Sequence, residues 1–127
     1  MDKRHELGKE GEDYALEHIV QKGYSIVGRN ITFENVGEID IIAKKDDILV
    51  FIEVRTRAAE VFGLPVETVD FFKQKKFLKA VSLYLEQLDI TEFQEIRMDI
   101  VSIVKNRDDN VNISHYQGCI ENSEHWM

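Results

Sequence analysis

The stretch "GEIDIIAKKDDILVFIEVRTR", residues 37–57, carries the clearest structural signal in the chain. Two apolar runs flank a polar step at Lys44, Lys45, Asp46 and Asp47, the pattern of two strands joined by a tight turn. If Asp46 and Asp47 form the turn, Asp40 lies opposite Glu53, and Glu38 lies opposite Arg55. Strand side chains alternate between faces. Ile39, Ile41, Ala43, Val50, Ile52 and Val54 therefore share one wholly apolar face. The other face carries Ile42, Leu49 and Phe51 near the turn, then Asp40 and Glu53 farther along, with Arg55 beyond.

Like charges directly across a ladder destabilise the pair, and partial desolvation of carboxylates costs more. A divalent cation shared by Asp40 and Glu53 is the simplest offset, since Mg²⁺ is held by one or two carboxylates together with waters and phosphates. An alternative is a solvated acidic sheet face on which Arg55 pairs with Glu38 or Glu53.

Residues 3–22 read as a helix. On a wheel of ~100° per residue, Gly8, Gly11, Ala15, Leu16 and Ile19 face inward. The two glycines allow close approach to a sheet, and Glu12 falls in the middle of that arc, where it can complete the acidic cluster. Gly23 stops the helix. "YSIVGRN" and "ITFE" follow as one strand or a bent pair, and "AAEVFGLP" reads as a loop. "VETVDFFKQKKFLKAVSLYLEQL" is a second helix, with Phe71, Phe77, Leu78, Val81, Tyr84, Leu85 and Leu88 inward and Gln74 on the same face. "IRMDIVSIV" is a fourth strand and "VNISHYQG" a short fifth. The expected architecture is α/β: an αβββαβ core with an added strand, a mixed sheet flanked by helices. Residues 1–120 are expected to form one domain, with 121–127 a C-terminal tail.

The 127 residues are 43% apolar and 31% charged, enough for one domain with a real core. No apolar run reaches the ~18 residues of a membrane span, and the charged start "MDKRHELGKEGEDY" has no apolar signal region. The single Cys119 cannot form an intrachain disulfide. Together these predict a reducing, cytoplasmic setting. A net charge of −8 argues against a nucleic-acid coat protein, but acids that hold metal contribute to that charge. The four histidines lack zinc spacing. Lys75, Lys76 and Lys79 form an outer stripe on the second helix, either a solvated face or a track for a phosphate backbone, with Lys73 off to one side. Asp99 interrupts an apolar strand and is read as structural, holding Arg97 or a backbone amide.

An acid, a strand-turn-strand, then acid-x-basic resembles the PD-(D/E)xK nucleases with their restriction-endonuclease-like fold. "LGKEGEDYA", "GEIDIIA", "LVFIEVRTR", Phe62-Gly63 with Pro65, "KQKK" and "RMDIV" resemble more closely the bacterial YraN-type family of predicted endonucleases. That family is in turn similar to archaeal Holliday-junction resolvases. The resemblance spans roughly residues 6–105. It implies a Mg²⁺- or Mn²⁺-dependent endonuclease acting on DNA, with branched or single-stranded forms as candidate substrates in repair or recombination, and a homodimer by analogy. By position it makes Asp40, Glu53 and the Val54 carbonyl the metal ligands and Glu12 the helix acid. Arg55, Arg57, Gln74, Lys75 and Lys76 become the candidate DNA contacts.

Arg55 departs from the superfamily pattern, which has lysine there. Arginine grips phosphate but stays protonated and cannot act as a general base. The departure keeps open a DNA-binding or repair-accessory module on a nuclease scaffold. The acidic net charge keeps open a protein-interaction module with a vestigial site.

Overall fold

The computed structural model describes residues 3–59 and 71–120. The Phe62-Gly63 and Pro65 motif, the start of the second helix and the tail at 121–127 lie outside the described residues. The elements are α1 (Lys3–Gln21), β1 (Ser25–Phe33), β2 (Gly37–Lys45), β3 (Ile48–Ala58), α2 (Phe71–Glu86), a 3-10 turn at Ile90–Glu92, β4 (Glu95–Lys105) and β5 (Val111–Tyr116). Their order is the expected αβββαβ plus one strand.

The five strands form one mixed sheet in sequence order. β3 and β4 run parallel, and the other neighbours are antiparallel. A parallel pair needs a long crossover, and α2 lies within the segment that supplies it. β3 is the central strand, buried without a break from Leu49 to Val54. A helix covers each face, so a near-continuous apolar run is what such a strand requires. On the α1 side, Ala15 and Ile19 pack with Ile41, Ala43, Val50, Ile52, Val54, Val101 and Ile103. On the α2 side, Phe77, Leu78, Ala80 and Val81 pack with Ile39, Ile42, Leu49, Phe51, Met98 and Ile100.

The β2–β3 hairpin has the register read from the sequence, with Ile41 against Ile52 through to Lys45 against Ile48. Asp46 turns the chain at φ 55°. One side chain departs from the expected alternation. Ile39 packs on the α2 side, not with Ile41 and Ala43. The alternation switches across Asp40, whose own side chain takes the hydrogen bond of the Val54 N–H at 2.8 Å.

Gly23, at φ 95°, closes α1. Gly23 N donates to the Val20 carbonyl and Tyr24 N to the Ile19 carbonyl, the pairing of a Schellman stop. A Cβ on Gly11 would lie 2.1 Å from Thr56 Oγ1, so this glycine lets α1 sit on β3. Gly8 plays no such part, since a Cβ there would meet nothing within 4 Å. It borders open space beside the site instead.

Asp99 is fully buried and structural. Its carboxylate accepts from Arg97 Nε at 2.9 Å, Gly118 N at 2.8 Å and His115 Nε2 at 2.7 Å. Arg97 Nη2 also donates to the Tyr24 hydroxyl at 2.6 Å. The network ties β5 and the α1–β1 corner to β4.

Candidate metal centre

Two adjoining cavities open where α1, the outer ends of β2 and β3, and the first turns of α2 converge. One, of about 690 Å³, is lined in part by Glu12, Glu38, Asp40, Glu53, Lys73 and Lys76. The other, of about 250 Å³, is lined in part by Glu12, Asp40, Val54, Arg55, Arg57 and Lys73. α2 comes this close because Gly37 has no side chain: a Cβ there would lie 2.4 Å from the Lys76 carbonyl oxygen.

Carboxylate oxygens of Glu12, Glu38 and Asp40 lie within 4.8 Å of one another. Burial pushes the Asp40 carboxyl up to about 7, with Glu12 and Glu38 adding to the rise. The Val54 N–H and Lys73 pull the other way and do not cancel it. Glu12 is also raised, first by burial and then by Glu38, with Arg29 and Asn30 opposing. A metal-free cluster therefore resists full ionisation near neutrality, and a bound cation would favour it. The donors are all carboxylate oxygens, which suit hard cations such as Mg²⁺ or Mn²⁺. The residues present fit the ion that the sequence implies.

Glu53 lines the same cavity and is buried at 2% exposure, but it is turned onto Arg55, with Oε1 3.0 Å from Nη2. The structure thus gathers Glu12 and Asp40 as expected and adds Glu38 to them. Val54, Arg55 and Arg57 lie along the smaller cavity. Lys76 reaches the larger one. Gln74 is half-buried and Lys75 exposed on α2, and among the described residues neither lines the two cavities. Lys73, which lies off the outer lysine stripe, lines both. Glu38 has a signal in the sequence: it stands two residues from Asp40 on a strand, the spacing that places side chains together. Lys73 and Lys76 are spaced by three, neighbours on one helix face.

The model of UPF0102, an uncharacterised protein family, matches residues 11–103. A UPF0102 protein of Dictyoglomus turgidum is 46% identical over 99 residues, 78% of this chain and 82% of the relative. One from Flavobacterium psychrophilum is 42% identical over 117 residues, 92% of this chain and 95% of the relative. A third, from Carboxydothermus hydrogenoformans, is 37% identical over 118 residues, covering 93% and 98%. The matched region contains Glu12, Glu38, Asp40, Glu53, Arg55 and the α2 lysines.

Proposed function

This chain belongs to UPF0102, the YraN-type family its motifs resemble, and from that premise we propose that it is a divalent-metal-dependent endonuclease hydrolysing DNA phosphodiester bonds. The observation that carries the reading is the Glu12, Glu38 and Asp40 cluster in a cleft walled by Lys73 and Lys76. Acids for a cation and ammonium groups for a phosphate face one space, the pairing that phosphodiester chemistry needs.

Asp40, Glu12 and Glu38 would hold a Mg²⁺ or Mn²⁺ ion, with Glu53, which lines the same cavity, as the further candidate carboxylate. Such an ion would supply Lewis-acid polarisation of the phosphate and a water of lowered pKa. Lys73 and Lys76 position the phosphate as point charges, and Arg55 and Arg57 at the smaller cavity extend the contact along the backbone. Branched and single-stranded DNA are the proposed substrate forms, and a homodimer would present two such clefts for two strands.

One observation favours a second reading, a DNA-binding accessory module. Arg55 already neutralises Glu53, so one expected ligand has an internal counter-ion. A cleavage assay on duplex, single-stranded and four-way-junction DNA with Mg²⁺ and with Mn²⁺ separates the two. Cleavage that Asp40→Asn abolishes supports the nuclease. Salt-sensitive DNA binding without cleavage on any form supports the accessory module.

A further inference from the structure

In the β1–β2 ladder, Arg29 pairs with Ile41 and Ile31 with Ile39. Asn30 therefore stands across from Asp40, at the point where β2 switches faces. Its backbone sits at φ 52°, a left-handed conformation that Gly and Asn tolerate best. That kink carries its side chain to the acids. With its amide nitrogen turned toward them, Asn30 donates to Glu12 Oε1 at 2.7 Å and to Glu38 Oε1 at 3.2 Å. The opposite orientation would set the amide oxygen against two carboxylates. Hydrogen bonding thus selects the nitrogen-inward orientation.

We propose that Asn30 is a positioning residue of the metal centre: its amide bridges Glu12 on α1 and Glu38 on β2 and holds the two carboxylates in place for a divalent cation. This rests on reading Glu12, Glu38 and Asp40 as the cation site. A glycine would satisfy the backbone at φ 52° equally well, so backbone demand alone does not call for the side chain. The amide does what the backbone cannot. It links two elements through one group, adds no negative charge to an acidic site, and donates along directions that leave the other carboxylate lone pairs free. Outer partners of this kind orient ligands and change metal affinity by roughly 10–100-fold.

The test is a Mg²⁺ titration of the ¹⁵N-labelled protein followed by NMR, on wild type and Asn30→Gly. In wild type, the Asn30 side-chain NH₂ pair should shift with the same half-saturation as the backbone amides of Asp40 and Val54. Asn30→Gly should weaken Mg²⁺ binding roughly tenfold. A role confined to the backbone would leave the affinity unchanged. Asp40 and Val54 amides that titrate with equal affinity in both proteins, with a static Asn30 NH₂ pair in wild type, would overturn the positioning role alone. Amides of Asp40 and Val54 that fail to respond to Mg²⁺ in wild type would overturn the cation site, and the positioning role with it. The wild-type spectrum decides the matter even where Asn30→Gly does not fold.

Discussion

Asp40 Oδ2 accepts the Val54 N–H at 2.8 Å, so a carboxylate of β2 occupies a ladder position of β3. The contact fixes the acid at the edge of the core and desolvates it, and burial lifts it to about 7 from 3.8. The folded state therefore holds the Asp40 proton over a pH range in which the unfolded chain has released it. The sign follows from linkage. The contribution of Asp40 to stability is fully present below about pH 4, declines as pH rises toward about 7, and stays lost above that. Asp40→Asn keeps an oxygen for Val54 N–H and has no charge to desolvate. Metal-free Asp40→Asn should be more stable than wild type above about pH 7, with the gap closing toward pH 4. Urea unfolding across that range checks it, and a gap that widened on acidification would refute the burial argument.

Arg55 and Glu53 form a buried ion pair, at 11% and 2% side-chain exposure. Removing one partner of such a pair costs about 3–5 kcal/mol. Arg55→Met should therefore destabilise the metal-free protein by roughly that amount, and the double variant Arg55→Met with Glu53→Gln should recover most of it. Arg55→Lys keeps the charge and should retain or raise metal-dependent cleavage. Chemical denaturation and cleavage rates on the same preparations read out both effects. A robust wild-type activity destroyed by Arg55→Lys would assign the planar guanidinium a dedicated phosphate contact.

Gly8 and Gly11 offer a paired control on how α1 meets the sheet. Gly11→Ala drives a methyl into Thr56, whose side-chain atoms lie 2.1–2.9 Å from the added carbon. Overpacking of this kind costs about 1–3 kcal/mol. Gly8→Ala meets nothing and should be neutral or stabilising by up to ~1 kcal/mol. Thermal melts of the two variants should move in opposite directions or, at the least, differ by several degrees.

Much of the scaffold was legible in the sequence because it follows short-range rules. Period-two alternation and the Asp46-Asp47 turn gave the β2–β3 register, and Gly23 marked the end of α1. The helical wheel put Ala15, Ile19 and Gly11 inward, but it gave Gly8 the same close approach to the sheet, and Gly8 meets nothing there. The rest depends on contacts between distant segments. Ile39 changes sides because Asp40 captures the Val54 N–H, which no alternation rule encodes. Glu53 turns onto Arg55 once both are buried, and strand parity does not tell an ion pair from a metal ligand. The role of Lys73 depends on how close α2 comes to Gly37. Asn30 meets Glu12 and Glu38 only through a left-handed residue set opposite Asp40.

Asp99 provides an acid-stability test away from the site. Burial alone would raise its carboxyl, but hydrogen bonds from His115, Arg97 and the Gly118 N–H overcome that and hold it below the usual range. A depressed folded-state pKa contributes stability above the unfolded value, and that contribution is lost as pH falls through the folded value. Asp99→Asn should cost about 3–5 kcal/mol near neutrality, since Arg97 loses the buried carboxylate it pairs with. The deficit should shrink on acidification to below about pH 4. Denaturant unfolding at several pH values gives the comparison, and a deficit independent of pH would contradict the assignment.

If Glu12, Glu38 and Asp40 form the metal centre of a DNA-cleaving site, Mn²⁺-dependent cleavage of a DNA panel should separate wild type from folded Asp40→Asn. Wild type should cleave at least one branched or single-stranded form, dependent on Mn²⁺ or Mg²⁺, with cleavage removed by chelation and absent in Asp40→Asn. Cleavage that survives Asp40→Asn, or wild type inert on every form with both metals, would contradict that assignment.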